Sequence, residues 1–424
     1  MTVRSTETGR GQRCPDCDAA LPADEQYVAW CAACDWNVDP GAPDPVPGRA
    51  EALRRRLARR YGERLFAAMD EPARRDPSGV LAVVVALAVH TVSAGLAVAG
   101  LLLLVLGWGH GALPVIGALL LVLGCTLRPR FGRLPADAPV LRRPDAPRLF
   151  ALIDEIAAAA GTTGVDVIVL GPDAGAHVTT YGIRHRRLLH LGLTLWEILT
   201  PQERVALLGH ELGHFAHGDL RHTAVVARAL DTLALWLYFL APGSAPGLAQ
   251  WFANVVMAPP RWIARGLLSG LDRLTLRASQ RAEYLADGTA ARVGSSAAAA
   301  GLLDRLLVTP SADNARRREA IVASRSSGSA ARREAEEHLW ERVAACVALV
   351  PEVEYERLRR VGVRRGHAAD STHPPTHLRH RRVTEGVQHE ASVHCDTERT
   401  AAIAAELAAV RRRLAQTAVG DAGR

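Results

Sequence analysis

At 424 residues the chain has room for about three domains of ~150 residues, at least one with a sizeable core. Aromatics are only 5%, but aliphatic residues abound, which excludes a disordered chain; no collagen-, mucin- or prion-like period is present. The formal net charge is +7 and every basic residue is Arg, so the positions of the charges say more than their sum.

Seven cysteines are an odd number, and four of them form two tight pairs. That argues against a secreted disulfide framework and for a metal site in a reducing compartment. Arg4, Arg10 and Arg13 have no apolar stretch behind them, so a cleavable signal peptide is not expected. Cys14-Pro15-Asp16-Cys17 is followed after thirteen residues by Cys31-Ala32-Ala33-Cys34. Two such knuckles offer four thiolates to one tetrahedral Zn²⁺, the pattern of a zinc ribbon, here residues 1–38. So small a unit takes its folding energy from the metal, and Trp30 and Trp36 are expected to pack on the knuckles. No Arg-aromatic interleaving extends beyond those two Trp residues, so nucleic acid is not an expected partner.

Residues 39–76 read as a Pro-rich linker (39–48) and a basic helical segment with Arg54, Arg55, Arg56, Arg59 and Arg60. Residues 77–127 carry no Asp, Glu or Arg. One membrane helix takes ~20 residues, so the stretch predicts a transmembrane hairpin with helices over 80–106 and 112–127. Arg74 and Arg75 precede it; Arg128, Arg130 and Arg133 follow it, which places both ends in the cytoplasm. The lipid bilayer is thus an expected partner.

Residues 140–420 read as a mixed α+β domain, mainly helical with a small sheet. A helix is expected over 145–160, ending at Gly161, and strands over 165–170, 176–180 and 188–193. Thr200, Pro201 and Glu203 give an N-cap, a first-turn proline and a capping box just upstream of His210-Glu211-Leu212-Gly213-His214. On a helix His210 and His214 share a face and can reach one Zn²⁺, with Glu211 close enough to act on a metal-bound water. Gln202, Glu203 and Arg204 just upstream argue against embedding this helix in lipid.

A third ligand is required. Glu283 is the only Glu between Leu212 and Arg318. Asp287 lies four residues on, hence on the same helix face, placed to hydrogen-bond a ligand His. Asp219 and His222 are alternative ligands. The metzincin extension fails, because His217 and Leu220 stand where it needs Gly and His.

On these residues the chain resembles the HtpX-like membrane metallopeptidases, the gluzincin family that also holds the CAAX prenyl proteases. The resemblance rests on His210-Glu211-Leu212-Gly213-His214 with Gly218-Asp219, on Glu283-Tyr284-Leu285-Ala286-Asp287, on Thr372-His373-Pro374 with Arg379, and on the preceding apolar hairpin. It covers about residues 77–385 and leaves the ribbon as an addition. It implies a zincin-like fold, zinc on His210, His214 and Glu283, Glu211 as general base, and proteins or peptides as substrates. It also implies that His373 stabilises the oxyanion or orients substrate, with Arg379 in support. By the residues alone His373 reads equally as a turn histidine, and Thr372, His377 and His380 lie close by. The family's substrate-binding Asn-Ala pair is replaced by Gly175-Ala176-His177, with His177 as a substitute.

Residues 224–240 and 248–268 are apolar but carry Arg228, Asp231, Arg261 and Arg265, which predicts membrane-surface or amphipathic helices rather than full spans. Residues 316–333, rich in Arg and Ser, are expected to form a mobile loop open to autocleavage. The expected function is a membrane-anchored zinc endopeptidase facing the cytoplasm, with one catalytic and one structural Zn²⁺. The rival reading is a membrane-tethered zinc-ribbon adaptor on an inactive protease fold.

Overall fold

A computed structural model describes residues 12–21, 26–41, 49–70, 77–128, 132–135, 138–217, 224–365 and 373–423. Arg4, Arg10, Arg74, Arg75, Arg130, the Gly218-Asp219 element, His222 and Thr372 lie outside them, as does most of the Pro-rich linker.

The N-terminal knuckles close on one another. The first ends in a turn in which the Cys14 N–H donates to the Ala19 carbonyl, and the second in one in which the Cys31 N–H donates to Trp36. Trp36 packs beside Cys14, Leu21 and Cys31. Helix α1 (Arg49–Ala67) follows, then the apolar α2 (Pro77–Leu106) and α3 (Leu113–Thr126). These two form a hairpin because small residues let their backbones touch. A Cβ on Gly100 would lie 2.4 Å from the Leu121 nitrogen, and one on Gly124 2.5 Å from that of Ala97. Of the two arms α2 alone is long and apolar enough to cross a bilayer; α3, at 14 residues, falls short of the ~20 that a span takes.

The next unit is a four-stranded sheet with its helices. Strands β1 (Val140–Leu141), β2 (Val167–Gly171), β3 (Ala176–Tyr181) and β4 (Arg186–Gly192) lie in the order β1-β2-β4-β3. Only β2 and β4 are parallel; β3 runs antiparallel to β4 and forms an edge. Helix α4 (Pro147–Ala159), between the antiparallel β1 and β2, buries Leu149, Leu152, Ile153 and Ile156 in the core it shares with the sheet and stops where Gly161 turns left-handed at φ +75°.

After α5 (Leu193–Ile198) comes α6 (Pro201–Ala216), started by the expected capping box: the Glu203 N–H donates to Thr200 Oγ1 and the Thr200 N–H to the Glu203 carboxylate. Helix α7 (Ala224–Phe239) leads to α8 (Leu248–Gly294), a single helix of 47 residues. The stretch 248–268 is therefore not a separate element. It is the front of the helix that later carries Glu283, continuous through Pro259 and Pro260. Both elements pack on α2: Ala82, Ala86 and Val89 meet Val226, Ala229, Leu233, Ala264 and Leu271. Trp251, Phe252, Trp262 and Ile263 of α8 face outward and are more than 60% exposed.

The rest is helical: α9 (Ser296–Leu307), α10 (Thr309–Ser324), α11 (Ser329–Glu337), α12 (Leu339–Ala348), α13 (Glu352–Arg365), α14 (Thr376–Glu385) and α15 (Thr397–Ala422). The expected mobile loop over 316–333 is instead the end of α10 and the start of α11, parted only at 325–328. Arg316 and Arg317 both pair with Asp313, three and four residues back, and Arg332 pairs with Glu336. Intrahelical pairing at these spacings, with Ala312, Ala315, Ala320 and Ala323 buried, makes an Arg-rich stretch helical rather than loose.

Candidate metal centre

The centre is built where α6 crosses α8. The crossing is close because small residues face each other in antiparallel register. A Cβ on Gly213 would lie 3.0 Å from the Ala286 Cα, one on Gly209 3.3 Å from that of Ala290, and one on Gly294 2.8 Å from the Ala206 nitrogen. The residues beside this seam then converge.

His210 Nε2 and His214 Nε2 are 3.3 Å apart. Glu283 Oε2 lies 3.6 Å from the first and Oε1 3.7 Å from the second. All three residues are buried. At metal–ligand bonds of ~2.0–2.1 Å, tetrahedral geometry sets donor atoms about 3.3 Å apart. The three side chains thus have the donor spacing that one face of a zinc tetrahedron would need. Among the described residues Glu283 Oε2 accepts no hydrogen bond, which leaves its lone pairs for a cation.

A shell of charge fixes these ligands. Asp287 Oδ1 accepts from His210 Nδ1 at 3.0 Å, which settles the proton on Nδ1 and turns Nε2 toward the centre. Arg379 reaches in from α14 and grips Asp287 with Nε and Nη2, both at 2.7 Å, while Nη1 lies 3.4 Å from Glu283 Oε2. Burial opposes a charge on His210, but the bond and charge of Asp287 outweigh it and raise the imidazole pKa. Burial would likewise raise the Glu283 carboxyl, yet the Arg379 charge, with His373 and His210, holds it well below the usual carboxylate range. Asp287 is held low in the same way, chiefly by Arg379 against its own burial. The centre is therefore an ionised carboxylate beside a histidine pair.

His373 does not stand apart as a turn histidine: its Nδ1 donates to Glu283 Oε1 at 2.9 Å, although its ring is 64% exposed. Glu211 is buried on α6 between the two ligand histidines. His380 pairs with Asp304 at 3.6 Å, away from the centre. His177, at the start of edge strand β3, stacks on His190 with ring centroids 4.7 Å apart, and His190 bonds Asp173 at 3.0 Å. The Gly209–Gly213 and Ala286–Ala290–Gly294 seam was not part of the expected site. Its signal was present as small residues four apart on both helices.

A second cluster forms from Cys14, Cys17, Cys31 and Cys34, with Cys14 Sγ 3.5 Å from Cys34 Sγ and Cys17 Sγ 3.5 Å from Cys31 Sγ. At Zn–S bonds of ~2.3 Å a tetrahedron sets sulfurs about 3.8 Å apart, so this donor set suits zinc as well.

The model of peptidase family M48 matches residues 145–387. The chain is 28% identical over 171 residues to Protease HtpX of Pseudomonas putida (strain W619), covering 38% of this chain and 56% of that protein. It is 27% identical over 167 residues to a Protease HtpX homolog of Syntrophobacter fumaroxidans, covering 36% and 56%. The chain thus spans little more than half the length of these curated relatives. No solved structure matches it.

Proposed function

The chain belongs to peptidase family M48, and on that premise we propose that it is a membrane-anchored, zinc-dependent endopeptidase. It would hydrolyse peptide bonds of unfolded or membrane proteins at a cytoplasm-facing site. The observation that carries this reading is the 3.3–3.7 Å spacing of the His210, His214 and Glu283 donor atoms, with Asp287 and Arg379 locking them from behind. We divide the chain into a ribbon (1–38), a linker and helix (39–76), a transmembrane hairpin (77–127) and the peptidase domain (140–420). The arginines that flank the hairpin favour the cytoplasm for both of its ends, which requires the 14-residue α3 to cross a locally thinned bilayer.

His210, His214 and Glu283 hold the catalytic zinc, and the four cysteines hold a structural one. Bound zinc supplies electrophilic polarisation of the scissile carbonyl and acidifies a water. The Glu211 carboxylate takes the proton of the attacking water and returns it to the departing amine. His373, held by Glu283 yet open to solvent, donates to the oxygen that gains charge. Substrate adds as a further strand along β3, whose outer edge pairs with no strand among the described residues. With His177 stacked on His190, that docking rests on backbone hydrogen bonds.

The test compares wild type with Glu211→Gln, both zinc-loaded in detergent, on an unfolded protein. Cleavage by wild type alone at equal zinc content supports the reading. Equal cleavage by both overturns Glu211 as the base; cleavage by neither, with zinc bound in both, points to an enzyme that needs its own substrate or to the adaptor reading.

A further inference from the structure

The ribbon is not a free appendage. Its second knuckle is seated on α13, which presents a row of arginines to it. Arg360 Nη1 donates to the Ala32 carbonyl at 2.6 Å and to Asp35 Oδ1 at 2.7 Å, and its guanidinium lies 5.0 Å from the centre of the Trp30 ring. Arg364 pairs with Asp35 at 3.2 Å, Arg365 with Asp39, and Arg357 donates to the Val38 carbonyl at 2.9 Å. Glu354 holds Arg357 and Glu356 holds Arg360, so both guanidinium groups are set before the ribbon arrives. Trp30, expected on the knuckles, is thus buried beneath an arginine of another element.

The opposite side of α13 leads to the metal centre. Arg359 Nη1 donates to Asp304 Oδ2 of α9 at 2.9 Å, and Asp304 Oδ1 lies 3.6 Å from His380 of α14. The residue before His380 is Arg379, which grips Asp287.

We propose that the ribbon is a metal-dependent brace: loaded with zinc it clamps α13, and α13 through Asp304 seats α14 and the arginine behind the catalytic ligands. The charge argues for it. Four thiolates around one Zn²⁺ leave two net negative charges, which join Asp35 and Asp39 opposite the arginine row. An apo ribbon loses the fixed knuckle that presents the Ala32 carbonyl and Asp35 to Arg360, so it leaves α13. The brace stands on the contacts alone; its effect on catalysis rests on the peptidase reading above.

The test uses the full chain in detergent with Co²⁺ in place of zinc. Thiolate-to-cobalt charge-transfer absorption reports the ribbon alone, because the His–His–Glu site has no sulfur. Release of ribbon cobalt to a chelator and amide hydrogen exchange over 352–365 and 376–385 are followed in wild type and in Arg360→Ala/Arg364→Ala. The double variant should lose ribbon cobalt and exchange both helices about tenfold faster. Stripping the ribbon metal from wild type should loosen the same helices. Asp35→Asn cuts the same pairs from the ribbon side and tolerates the left-handed backbone there (φ 59°), so it should reproduce the effect if the double variant fails to fold. Unchanged cobalt release and exchange in the folded variants would overturn the clamp. Metal loss from wild type with α14 undisturbed would overturn the link to the centre. Neither readout needs peptidase activity.

Discussion

Arg379 and Asp287 form a two-bond fork, Nε and Nη2 each 2.7 Å from a carboxylate oxygen, and both side chains are buried. Only a planar guanidinium can match that fork. Arg379→Lys should therefore lower zinc affinity at the His–His–Glu centre by about 10–100-fold while the ribbon stays loaded. Metal content after dialysis against graded chelator checks it. Arg379→Ala strips the buried Asp287 of its guanidinium and leaves it only the His210 bond, which should cost about 3–5 kcal/mol of stability.

The seam between α6 and α8 has no room to give at Gly294, where a new Cβ would sit 2.8 Å from the Ala206 backbone nitrogen. Gly294→Ala should force the helices apart, cost about 1–3 kcal/mol and weaken zinc binding without touching a ligand. Gly288→Ala is the control, since its Cβ would meet nothing nearer than an arginine tip at 3.7 Å. Thermal melts with zinc titration separate the two.

Burial would raise the Asp304 carboxyl pKa, but the His380 imidazole 3.6 Å away and the Arg359 guanidinium outweigh it and hold it low. Its folded pKa therefore lies below the unfolded value of about 3.9. The stability it adds is present above that value and fades as pH falls through the folded one. Asp304→Asn should lower the melting temperature by a constant amount above about pH 5. Below pH 4 the two melting curves should converge. Curves that stay parallel to pH 2 would refute the pairing.

Leu101 is about half exposed on the outer face of α2. A charge there, if it faces lipid, costs about 2.5–3.5 kcal/mol. Leu101→Arg should release protein from the membrane pellet under alkaline carbonate, where wild type stays. Equal retention would argue against α2 as the anchor.

Much of this was legible in the sequence for local reasons. The Thr200–Glu203 box fixes where α6 begins, so the face shared by His210 and His214 follows from spacing. Glu283 stood out by elimination, because no other Glu lay in reach. What stayed hidden is set by distant pairing. Residues 316–333 look like a loop until Asp313 and Glu336 are seen to take the arginines. Residues 248–268 look like a separate helix because the apolar run stops there and Asp272, Arg273 and Arg277 follow, yet packing of Ala264 and Leu271 on α2 carries the helix through. The seating of the ribbon on α13 links residues more than 300 apart in sequence, and no local pattern announces it.

The length of α8 sets a distance as well as a shape. From Trp262, the last large aromatic on its outward face, to Glu283 is 21 residues without a proline, or about 32 Å of rigid rod. If its apolar front lies in the bilayer, the rod works as a ruler between lipid and scissile bond. A substrate anchored in the same membrane must then offer about ten extended residues beyond its last buried one before it can be cut. Tightly folded juxtamembrane segments would escape, and frayed ones of sufficient reach would not.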